Sequence, residues 1–241
     1  MKRIDLPVKG KKELYRIIPE KIIALGLNYS EHIKESVFLN TKDLEKDIPE
    51  EPILFAKTPN ILIESGDNIV IPAFLREDYN FKELRVDYEA ELALIIKDRC
   101  KNVPVSEALD HVLGYTCMND ISMRNMQVSD KSGWFRGKSL DTFGPVGPVL
   151  VLSEDIPDPH SLGIRCRLNG KLVQDSNTKH MIFTVAEMIS FISKHFTLES
   201  GDIIMTGTPQ GVGPLKHGDV VEVEIDGIGV LKNQVIEESS I

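Results

Sequence analysis

The stretch "VDYEAELALIIK", residues 86–97, combines a strand pattern with an unusual run of charge. Every second residue from Val86 to Ile96 is apolar or aromatic, which is typical of one face of a half-buried β-strand. The opposite face begins with three carboxylates, Asp87, Glu89 and Glu91, before it becomes apolar. Like charges on one face repel each other. The sequence therefore predicts that a compensating cation lies close to this strand.

The composition is that of an ordinary globular protein. The chain has 241 residues, of which 41% are hydrophobic and 27% charged, so we expect a folded core. Its length suits one large domain, or one domain with a small extension. The formal net charge is −9, and no basic stripe with interleaved aromatic residues occurs. This pattern argues against a nucleic-acid partner.

The cysteines and the N-terminus indicate the compartment. Cys100, Cys117 and Cys166 are odd in number and far apart, and none lies in a CxxC motif, which favours reduced thiols. The N-terminus lacks the apolar segment of a signal peptide, and no apolar run approaches the length of a membrane span. We therefore expect a cytoplasmic protein without a membrane partner.

Turn signals predict a body made mostly of β-strands. Gly-Asp pairs at residues 66–67, 201–202 and 218–219 each precede a strand-like run. The pairs Asn169-Gly170 and Asp226-Gly227 lie between alternating segments, and both are typical of hairpins with type I′ turns. Several short strands in succession favour a β-rich α+β fold.

Helices are fewer and short. Thr184 and Glu187 have the spacing of a capping box and predict a helix that begins there. Shorter helices are predicted after Tyr29, through "SEHIKESV", and from Ser106, through "SEALDHV". The charged segment 40–52 predicts a mobile loop, which could close over a neighbouring site as a lid.

Glu89 and Glu91 are candidate metal ligands. Residues two apart on a strand lie on one face, about 6.6 Å apart, so both side chains can converge on one hard divalent cation. Asp120 follows the apolar strand 112–118 and is a candidate third ligand. The alternatives are a solvated strand face for the two glutamates and, for Asp120, the N-cap of a helix over "ISMRNMQ".

Two further motifs have the composition of a site. His32 and Glu35 are three residues apart, on one face of a predicted helix, and a neighbouring carboxylate makes an imidazole more basic. The alternative is an ion pair on a helix surface. The loop "TGTPQGVG", residues 206–213, can expose backbone N–H groups to a carboxylate, although a purely structural turn is the alternative. It lacks the lysine of a phosphate-binding loop.

Several separated blocks together resemble the fumarylacetoacetate hydrolase family. In chain order, these blocks are "IIALGLNYSEHIKE", "VDYEAELALII", "GYTCMNDISMRNMQ", "WFRGKSLDTFGPVGPVLV" and "GDIIMTGTPQGVGPLKHGDVVEVEIDGIG". The resemblance implies a mixed β-roll with a few short helices. It implies a catalytic domain over residues 21–241 after an N-terminal extension, residues 1–20. It also implies a homodimer and a bound Mg²⁺ or Mn²⁺, with Ca²⁺ left open.

The resemblance also implies roles for individual residues. The three metal ligands would be Glu89, Glu91 and Asp120. Lys138 would stabilise an enolate on the substrate, and His32, paired with Glu35, would activate a water molecule.

Three more residues are candidates for substrate binding. Arg124 and Gln127, four and seven residues after Asp120, lie on one face if this segment is helical, and they would orient the substrate or neighbouring carboxylates. The hydroxyl of Thr208 matches one that contacts the substrate in the family. A surface ion pair is the alternative for Arg124. The family often carries an acidic residue after that arginine, and this chain has Asn125, so an ionic role at this position is in doubt.

The predicted substrate is a small 2-oxo acid. The predicted reaction is metal-dependent cleavage of a carbon–carbon bond, by an acylpyruvate hydrolase or an oxaloacetate decarboxylase, because the complete His–Glu pair suits activation of water. The alternatives are an isomerase of 2-hydroxyhepta-2,4-diene-1,7-dioate, a ureidoglycolate lyase, and a non-catalytic binding module stabilised by a metal. Such a module would have no use for Lys138 and the His–Glu pair.

Overall fold

The computed structural model describes residues 4–38, 48–79, 81–131 and 133–239, and within them the chain folds mainly into strands. The strands, in chain order, are β1 (Ile4–Pro7), β2 (Leu14–Ile17), β3 (Ile22–Gly26), β4 (Ile53–Lys57), β5 (Leu62–Ile63), β6 (Asn68–Ile71), β7 (Val86–Tyr88), β8 (Ala90–Ile96), β9 (Val112–Asn119), β10 (Ser122–Met123), β11 (Gly144–Leu152), β12 (Gly163–Leu168), β13 (Lys171–Asn177), β14 (Ile203–Met205), β15 (Gly213–Pro214), β16 (Val220–Ile225) and β17 (Gly229–Glu237). The α-helices are α1 (Ser30–Phe38), α2 (Phe74–Glu77), α3 (Arg124–Ser129), α4 (Phe135–Lys138) and α5 (Val185–His195). The predicted lid falls mostly on residues 39–47, which lie outside the described residues.

Two large sheets form the core. One has seven strands in the order β4-β3-β14-β8-β9-β11-β5, and the other has five in the order β13-β12-β16-β17-β6. Both are mixed, because β3 runs parallel to β14, β5 to β11, and β6 to β17, while the other pairs are antiparallel. Strands β8, β9 and β11 pack against β12, β16 and β17 of the second sheet. This arrangement confirms the predicted β-rich α+β class.

The stretch that predicted one half-buried strand is two strands, and both are buried on both faces. β7 joins a small three-stranded sheet in the order β10-β7-β15, while β8 lies in the middle of the seven-stranded sheet. The break falls at Glu89. The expectation of a single strand with one exposed face is therefore wrong. Packing between the sheets buries both faces of β8, and the chain passes from one sheet to another at Glu89, within the run of carboxylates.

The first predicted hairpin turn is confirmed, and the type of the second is wrong. Asn169 and Gly170 connect β12 to β13 with φ angles of 53° and 79°, as a type I′ turn requires. The loop between β16 and β17 has one residue more, 226–228, and Gly227 takes the positive φ of 78° there. A three-residue loop with a left-handed glycine satisfies the same strand twist.

The predicted helices form, one of them with a different geometry. Thr184 and Glu187 make both hydrogen bonds of the capping box at the start of α5. The segment after Tyr29 forms α1, whereas Val105–His111 is a 3₁₀ helix. The three cysteines are buried and form no disulfide. Among the described residues, no helix has both the length and the apolar character needed to span a membrane.

Candidate metal and active site

Three carboxylates meet at the place where β8 begins and β9 ends. Glu89 lies at the break before β8, Glu91 is the second residue of β8, and Asp120 directly follows β9. Because β8 and β9 are antiparallel, with Ala90 opposite Asn119, these side chains reach one place. One oxygen of each lies within 4.8 Å of the others. We call Glu89, Glu91 and Asp120 the acidic triad.

Both alternative interpretations of these carboxylates are wrong. A solvated strand face would leave the glutamates exposed, but Glu89 is 4% exposed and Glu91 is 1% exposed. Asp120 is not a helix N-cap, because α3 begins at Arg124 and its N-cap is Met123. Instead, the backbone N–H of Asp120 donates to the carbonyl of Glu89 at 2.9 Å, which fixes the two ligands relative to each other.

Two buried lysines donate to the triad. The Nζ of Lys138, at the end of α4, lies 2.6 Å from Glu89 Oε2 and 2.6 Å from Asp120 Oδ2. Lys57, the last residue of β4, donates to the other oxygen of Asp120 and to the carbonyl of Phe143. Burial lowers the pKa of Lys57, and the charge of Asp120 opposes this change. Lys138 is 3% exposed, so it is not a solvated loop lysine.

Arg124 extends the network from the triad to Asp87. Its Nη2 lies 2.5 Å from Glu89 Oε1, its Nε lies 2.8 Å from Asp87 Oδ2, and its Nη1 lies 3.0 Å from Gln127 Oε1. Arg124 and Gln127 thus share one face of α3, as predicted. A plain surface ion pair is wrong for Arg124, because its side chain is 18% exposed and bridges two buried acids. These cations offset the repulsion within residues 86–97.

The neighbouring positive charges stabilise the three triad carboxylates unequally. Burial alone would raise the pKa of Glu89, but Lys138 and Arg124 outweigh it and hold that pKa well below its usual value. For Glu91, burial and the charges of Asp120 and Glu89 raise the pKa well above its usual value. Glu91 therefore lies where one more positive charge would be stabilised.

The donor set fits a hard divalent cation. Three carboxylates that each offer one oxygen suit Mg²⁺ or Mn²⁺, and Ca²⁺ accepts the same ligands. A second observation agrees, because the buried hydroxyl of Tyr29 has no hydrogen-bond partner among the described residues. Burial raises the pKa of Tyr29, and the charge of Glu91 contributes. The hydroxyl thus lies within electrostatic range of Glu91, and a buried donor without a protein partner suits an additional acceptor such as a water molecule.

His32 and Glu35 form a pair on α1, and His32 lines the same cavity as Glu89 and Glu91. Nδ1 of His32 lies 3.4 Å from Glu35 Oε2, and the side chain of His32 is 7% exposed, so the surface ion-pair alternative is wrong. Glu35 also accepts a hydrogen bond of 3.0 Å from the backbone N–H of Gly211. Burial would raise the pKa of Glu35, but His32 and Gly211 outweigh it, so this pKa is lowered.

The loop 206–213 binds carboxylates of the protein itself. The N–H of Gly207 donates to Glu91 Oε2 at 2.8 Å, and Gly211 donates to Glu35. The hydroxyl of Thr208 accepts a hydrogen bond of 2.9 Å from Gln174 and lines the pocket. The loop therefore holds one triad ligand and one member of the His–Glu pair.

A pocket of about 110 Å³ lies over the triad, several times the space that one water needs. It brings together the side chains of His32, Glu89, Glu91, Arg124, Gln127, Lys138 and Thr208, all of which the sequence indicated. Asp120 and Glu35 lie directly behind this lining, in contact with Lys138 and His32 respectively. The remaining lining consists of Gly26, Arg85 and the apolar side chains of Leu25, Leu27, Phe55, Val128 and Trp134. The site thus suits a small, acidic molecule with little polar surface between its charged groups.

The sequence did not indicate several residues of this site. Lys57 ends a short apolar strand, and no spacing connects it to Asp120, which lies 63 residues away. Tyr29 directly precedes the helix that carries His32, which is the one signal that could have found it. Asn125, the departure from the family pattern, accepts a 2.8 Å bond from the N–H of Arg85 and donates to the carbonyl of Glu83. It fastens α3 to the segment before β7, a role that needs no charge.

Substitution of Gly207 by Ala is expected to weaken metal binding by about 10- to 100-fold, the usual effect of disturbing a group that orients a ligand. Gly207 has a φ of 90°, and a Cβ there would lie 2.8 Å from the Cβ of Asn28, so the loop must move and its N–H must leave Glu91. Titration calorimetry with Mn²⁺ measures the change.

Gly218→Ala is the matched control for this substitution. Gly218 has a similar φ of 87°, but nothing lies within 4 Å of its added Cβ, and its turn is remote from the triad. We expect the control to lose stability without losing Mn²⁺ affinity. Equal Mn²⁺ affinity in Gly207→Ala and the unchanged protein would contradict the proposed function of this N–H.

Comparison with known proteins identifies the family. Residues 21–236 match the family described as fumarylacetoacetate (FAA) hydrolase C-terminal. The chain belongs to the fumarylacetoacetate hydrolase family. Among its relatives is a mitochondrial oxaloacetate tautomerase of Xenopus laevis, 44% identical over 227 residues, which are 90% of this chain and 66% of that protein. The predicted family is thereby confirmed.

Solved structures of the family have the same fold. A fumarylpyruvate hydrolase from Pseudomonas aeruginosa, determined with Mn²⁺ and pyruvate, superimposes with a TM-score of 0.84 at 26% identity, covering 98% of this chain and 97% of that one. A 2-hydroxyhepta-2,4-diene-1,7-dioate isomerase from Mycobacterium marinum gives 0.78 at 35% identity, with coverage of 96% and 83%. The predicted fold of the fumarylacetoacetate hydrolase C-terminal type is confirmed.

Proposed function

We propose that the protein is a divalent-metal-dependent enzyme that cleaves a carbon–carbon bond of a small 2-oxo acid and stabilises the enolate that this cleavage releases. The proposed substrate is an acylpyruvate or oxaloacetate, and the proposed cation is Mg²⁺ or Mn²⁺. The observation that supports this most is the position of Lys138, a buried cation between two triad carboxylates, in a pocket whose other wall carries His32. A binding module would gain nothing from that arrangement.

The roles of the side chains follow from their positions. A bound divalent cation supplies Lewis-acid polarisation of the substrate's 2-oxo group. The ammonium group of Lys138 lies beside this position and stabilises negative charge that develops on the substrate oxygen. Arg124 and Gln127, tied to each other at 3.0 Å, orient the substrate's carboxylate from α3. The hydroxyl of Thr208 is a further contact on the opposite side of the pocket.

His32 holds the proton-transfer position. Its side chain lines the pocket and its Nδ1 lies 3.4 Å from Glu35 Oε2, so the imidazole is placed to take a proton from water in the pocket. Glu35, held by Gly211, fixes the ring's orientation and stabilises the imidazolium that results. Hydrolysis of an acylpyruvate needs this step. Decarboxylation of oxaloacetate needs the enolate-stabilising groups but no attacking water.

Tautomerisation of oxaloacetate is the second candidate, favoured by the 44% identity to a mitochondrial oxaloacetate tautomerase. Tautomerisation removes a proton from C3 of oxaloacetate and returns one to the resulting enolate, with no carbon–carbon bond broken. Cleavage instead releases the enolate of pyruvate, and the same lysine and cation would stabilise the enolate oxygen in both reactions. Isomerisation of 2-hydroxyhepta-2,4-diene-1,7-dioate is a further alternative, which the Mycobacterium marinum structure supports at 35% identity.

Metal removal and a substrate panel test the proposal. The protein is stripped with a chelator, reloaded separately with Mg²⁺ or Mn²⁺, and assayed with acetylpyruvate, oxaloacetate, fumarylpyruvate and the heptadienedioate. We expect activity to disappear on chelation and to return with either cation. Pyruvate release measures cleavage, and the enol absorbance of oxaloacetate measures tautomerisation.

His32→Asn separates the candidates further. It is expected to lower acylpyruvate hydrolysis by about 10²- to 10⁴-fold, because the general base is lost, and to spare decarboxylation. Activity that survives complete chelation, or no turnover of any 2-oxo acid by the loaded protein, would contradict the proposed function.

A further inference from the structure

Arg85 has hydrogen-bonding capacity that the protein does not use. Its Nε lies 3.0 and 3.2 Å from the two oxygens of Asp87, and its backbone N–H is held by Asn125. In the part of the chain that the structure describes, no protein acceptor lies within hydrogen-bond reach of its two terminal NH₂ groups. The side chain is 36% exposed and lines the pocket over the triad. Its free donors can therefore meet a ligand.

The position of Arg85 relative to the triad is set by a chain of alternating charges. Glu89 pairs with Arg124, Arg124 pairs with Asp87, and the carboxylate of Asp87 is shared with Arg85. Asp87 is fully buried, so it fixes both guanidinium groups from behind. Arg85 therefore lines the same pocket as the triad, and Arg124 and Asp87 connect it to Glu89.

The charge balance of the pocket favours an anionic ligand. Besides the His32–Glu35 pair, the cluster contains four acids and four bases, namely Asp87, Glu89, Glu91 and Asp120 with Lys57, Arg85, Arg124 and Lys138. It is neutral when all are ionised, and Glu35, whose pKa is lowered, adds one negative charge when His32 acts as a base. A divalent cation in the triad then leaves one positive charge in excess, which the carboxylate of a 2-oxo acid offsets. The unused N–H groups of Arg85 are available to a further acceptor on the ligand.

We propose that Arg85 binds a second carboxylate of the substrate, remote from the 2-oxo acid head, and so selects short 2-oxo dicarboxylates over the corresponding monocarboxylates. This inference rests on the proposed function, because the head group must lie at the triad. A guanidinium with two parallel N–H groups suits a planar carboxylate better than any other side chain does. The apolar side chains that line the same pocket accommodate the carbon chain that joins the two acidic ends.

A purely positional role for Arg85 predicts a different result. If the arginine served only to orient Asp87, and through it Arg124, its loss would weaken every 2-oxo acid equally, because all of them use the same head-group contacts. Recognition of a remote carboxylate predicts a selective loss. The two roles are therefore separated by a pair of ligands that differ only at the far end.

Binding of 2-oxoglutarate and 2-oxopentanoate provides that pair, since both have five carbons and only the first ends in a carboxylate. Titration calorimetry is performed on the Mn²⁺-loaded protein and on the loaded Arg85→Gln variant. We expect 2-oxoglutarate to bind the unchanged protein about tenfold tighter or more than 2-oxopentanoate. Arg85→Gln is expected to abolish this preference and to change the affinity for 2-oxopentanoate less than twofold.

Two further variants complete the design. Arg85→Lys keeps the charge but loses the paired N–H groups, so an intermediate preference is expected, and it serves the same test if Arg85→Gln does not fold. Arg99→Gln removes an exposed arginine that pairs with Glu199 outside the pocket and should leave both affinities unchanged. Thermal melting of each variant checks folding.

The outcomes distinguish this inference from the proposed function. Equal affinity for the two ligands in the unchanged protein, or an equal loss of both in Arg85→Gln, overturns the role of Arg85 and leaves the 2-oxo acid site standing. Failure of the loaded, unchanged protein to bind either ligand overturns the proposed function itself, and this inference with it.

Discussion

Replacement of Lys138 by Met is expected to lower kcat/KM by about 10²- to 10³-fold on any 2-oxo acid that the protein turns over, the usual effect of losing one group that stabilises an oxyanion. The ammonium group lies 2.6 Å from both Glu89 and Asp120, and Met fills a similar volume without its charge. Affinity for Mn²⁺ is expected to rise or stay unchanged, because a competing positive charge has left the triad. Steady-state kinetics and calorimetric titration measure the two effects.

This split between turnover and metal binding identifies the function of Lys138. A lysine that only held the triad together would lose both activity and Mn²⁺ affinity on replacement. Lys21→Met is the matched control, because Lys21 Nζ lies 2.9 Å from the buried carboxylate of Asp202, away from the pocket. The control should lose stability and keep its activity. If Lys138→Met retains kcat/KM within about threefold, the enolate-stabilising role is wrong.

Replacement of Asp120 by Asn is expected to abolish activity and to destabilise the protein. Asp120 accepts hydrogen bonds from two buried lysines, Lys57 and Lys138, and its loss leaves Lys57 without a buried counter-charge. Removal of one partner from a buried ion pair costs about 3–5 kcal/mol. Mn²⁺ affinity should fall by about 100-fold or more, since one of three anionic ligands is gone. Chemical denaturation and Mn²⁺ titration measure the two effects.

Asp202→Asn separates the loss of metal from the loss of stability. Asp202 is also a fully buried carboxylate, and it accepts hydrogen bonds from the backbone N–H groups of Lys21 and Glu199. This control should destabilise the protein by a comparable amount while Mn²⁺ still binds. Full Mn²⁺ affinity in a folded Asp120→Asn variant would remove Asp120 from the ligand set.

Local signals in the sequence predicted what depends on local structure. The capping box of Thr184 and Glu187, the Asn169-Gly170 turn and the pairing of His32 with Glu35 each involve residues at most three apart, and the structure contains all of them. The three carboxylates were also predicted to converge, and they do, although Glu89 lies at the break before β8 and not on the single strand that the pattern predicted.

Contacts between distant segments lay beyond those signals. The hydrogen bond from Gly207 to Glu91 joins residues 116 apart, and that from Lys57 to Asp120 joins residues 63 apart. The break at Glu89 depends on which sheets the two halves of the stretch join, and alternation of side chains does not reveal this. Arg85 and Asp87 are only two residues apart, but the function proposed for Arg85 depends on the pocket that it lines, which the sequence does not show.

Some predictions lie beyond what the fold and the comparisons test. The division of the chain at residue 20, the homodimer and the cytoplasmic location stay predictions, as do the roles of the individual site residues and the identity of the cation. The lid also stays a prediction, because it falls mostly on residues 39–47, which are outside the described part of the structure.

The break at Glu89 has an evolutionary consequence. The backbone of Glu89 makes hydrogen bonds with Asn119 and Asp120, so the atoms that would hold the cation lie in or beside buried strands of the core. Substitutions at these positions would destabilise the whole fold. The rest of the pocket lining comes in part from short helices and connecting segments, such as Val128 on α3 and Trp134 before α4, where substitutions disturb the core less. Substitutions in these pocket-lining segments can therefore change the preferred substrate while the metal-binding centre stays the same. This agrees with the presence of a tautomerase, a hydrolase and an isomerase among the similar proteins.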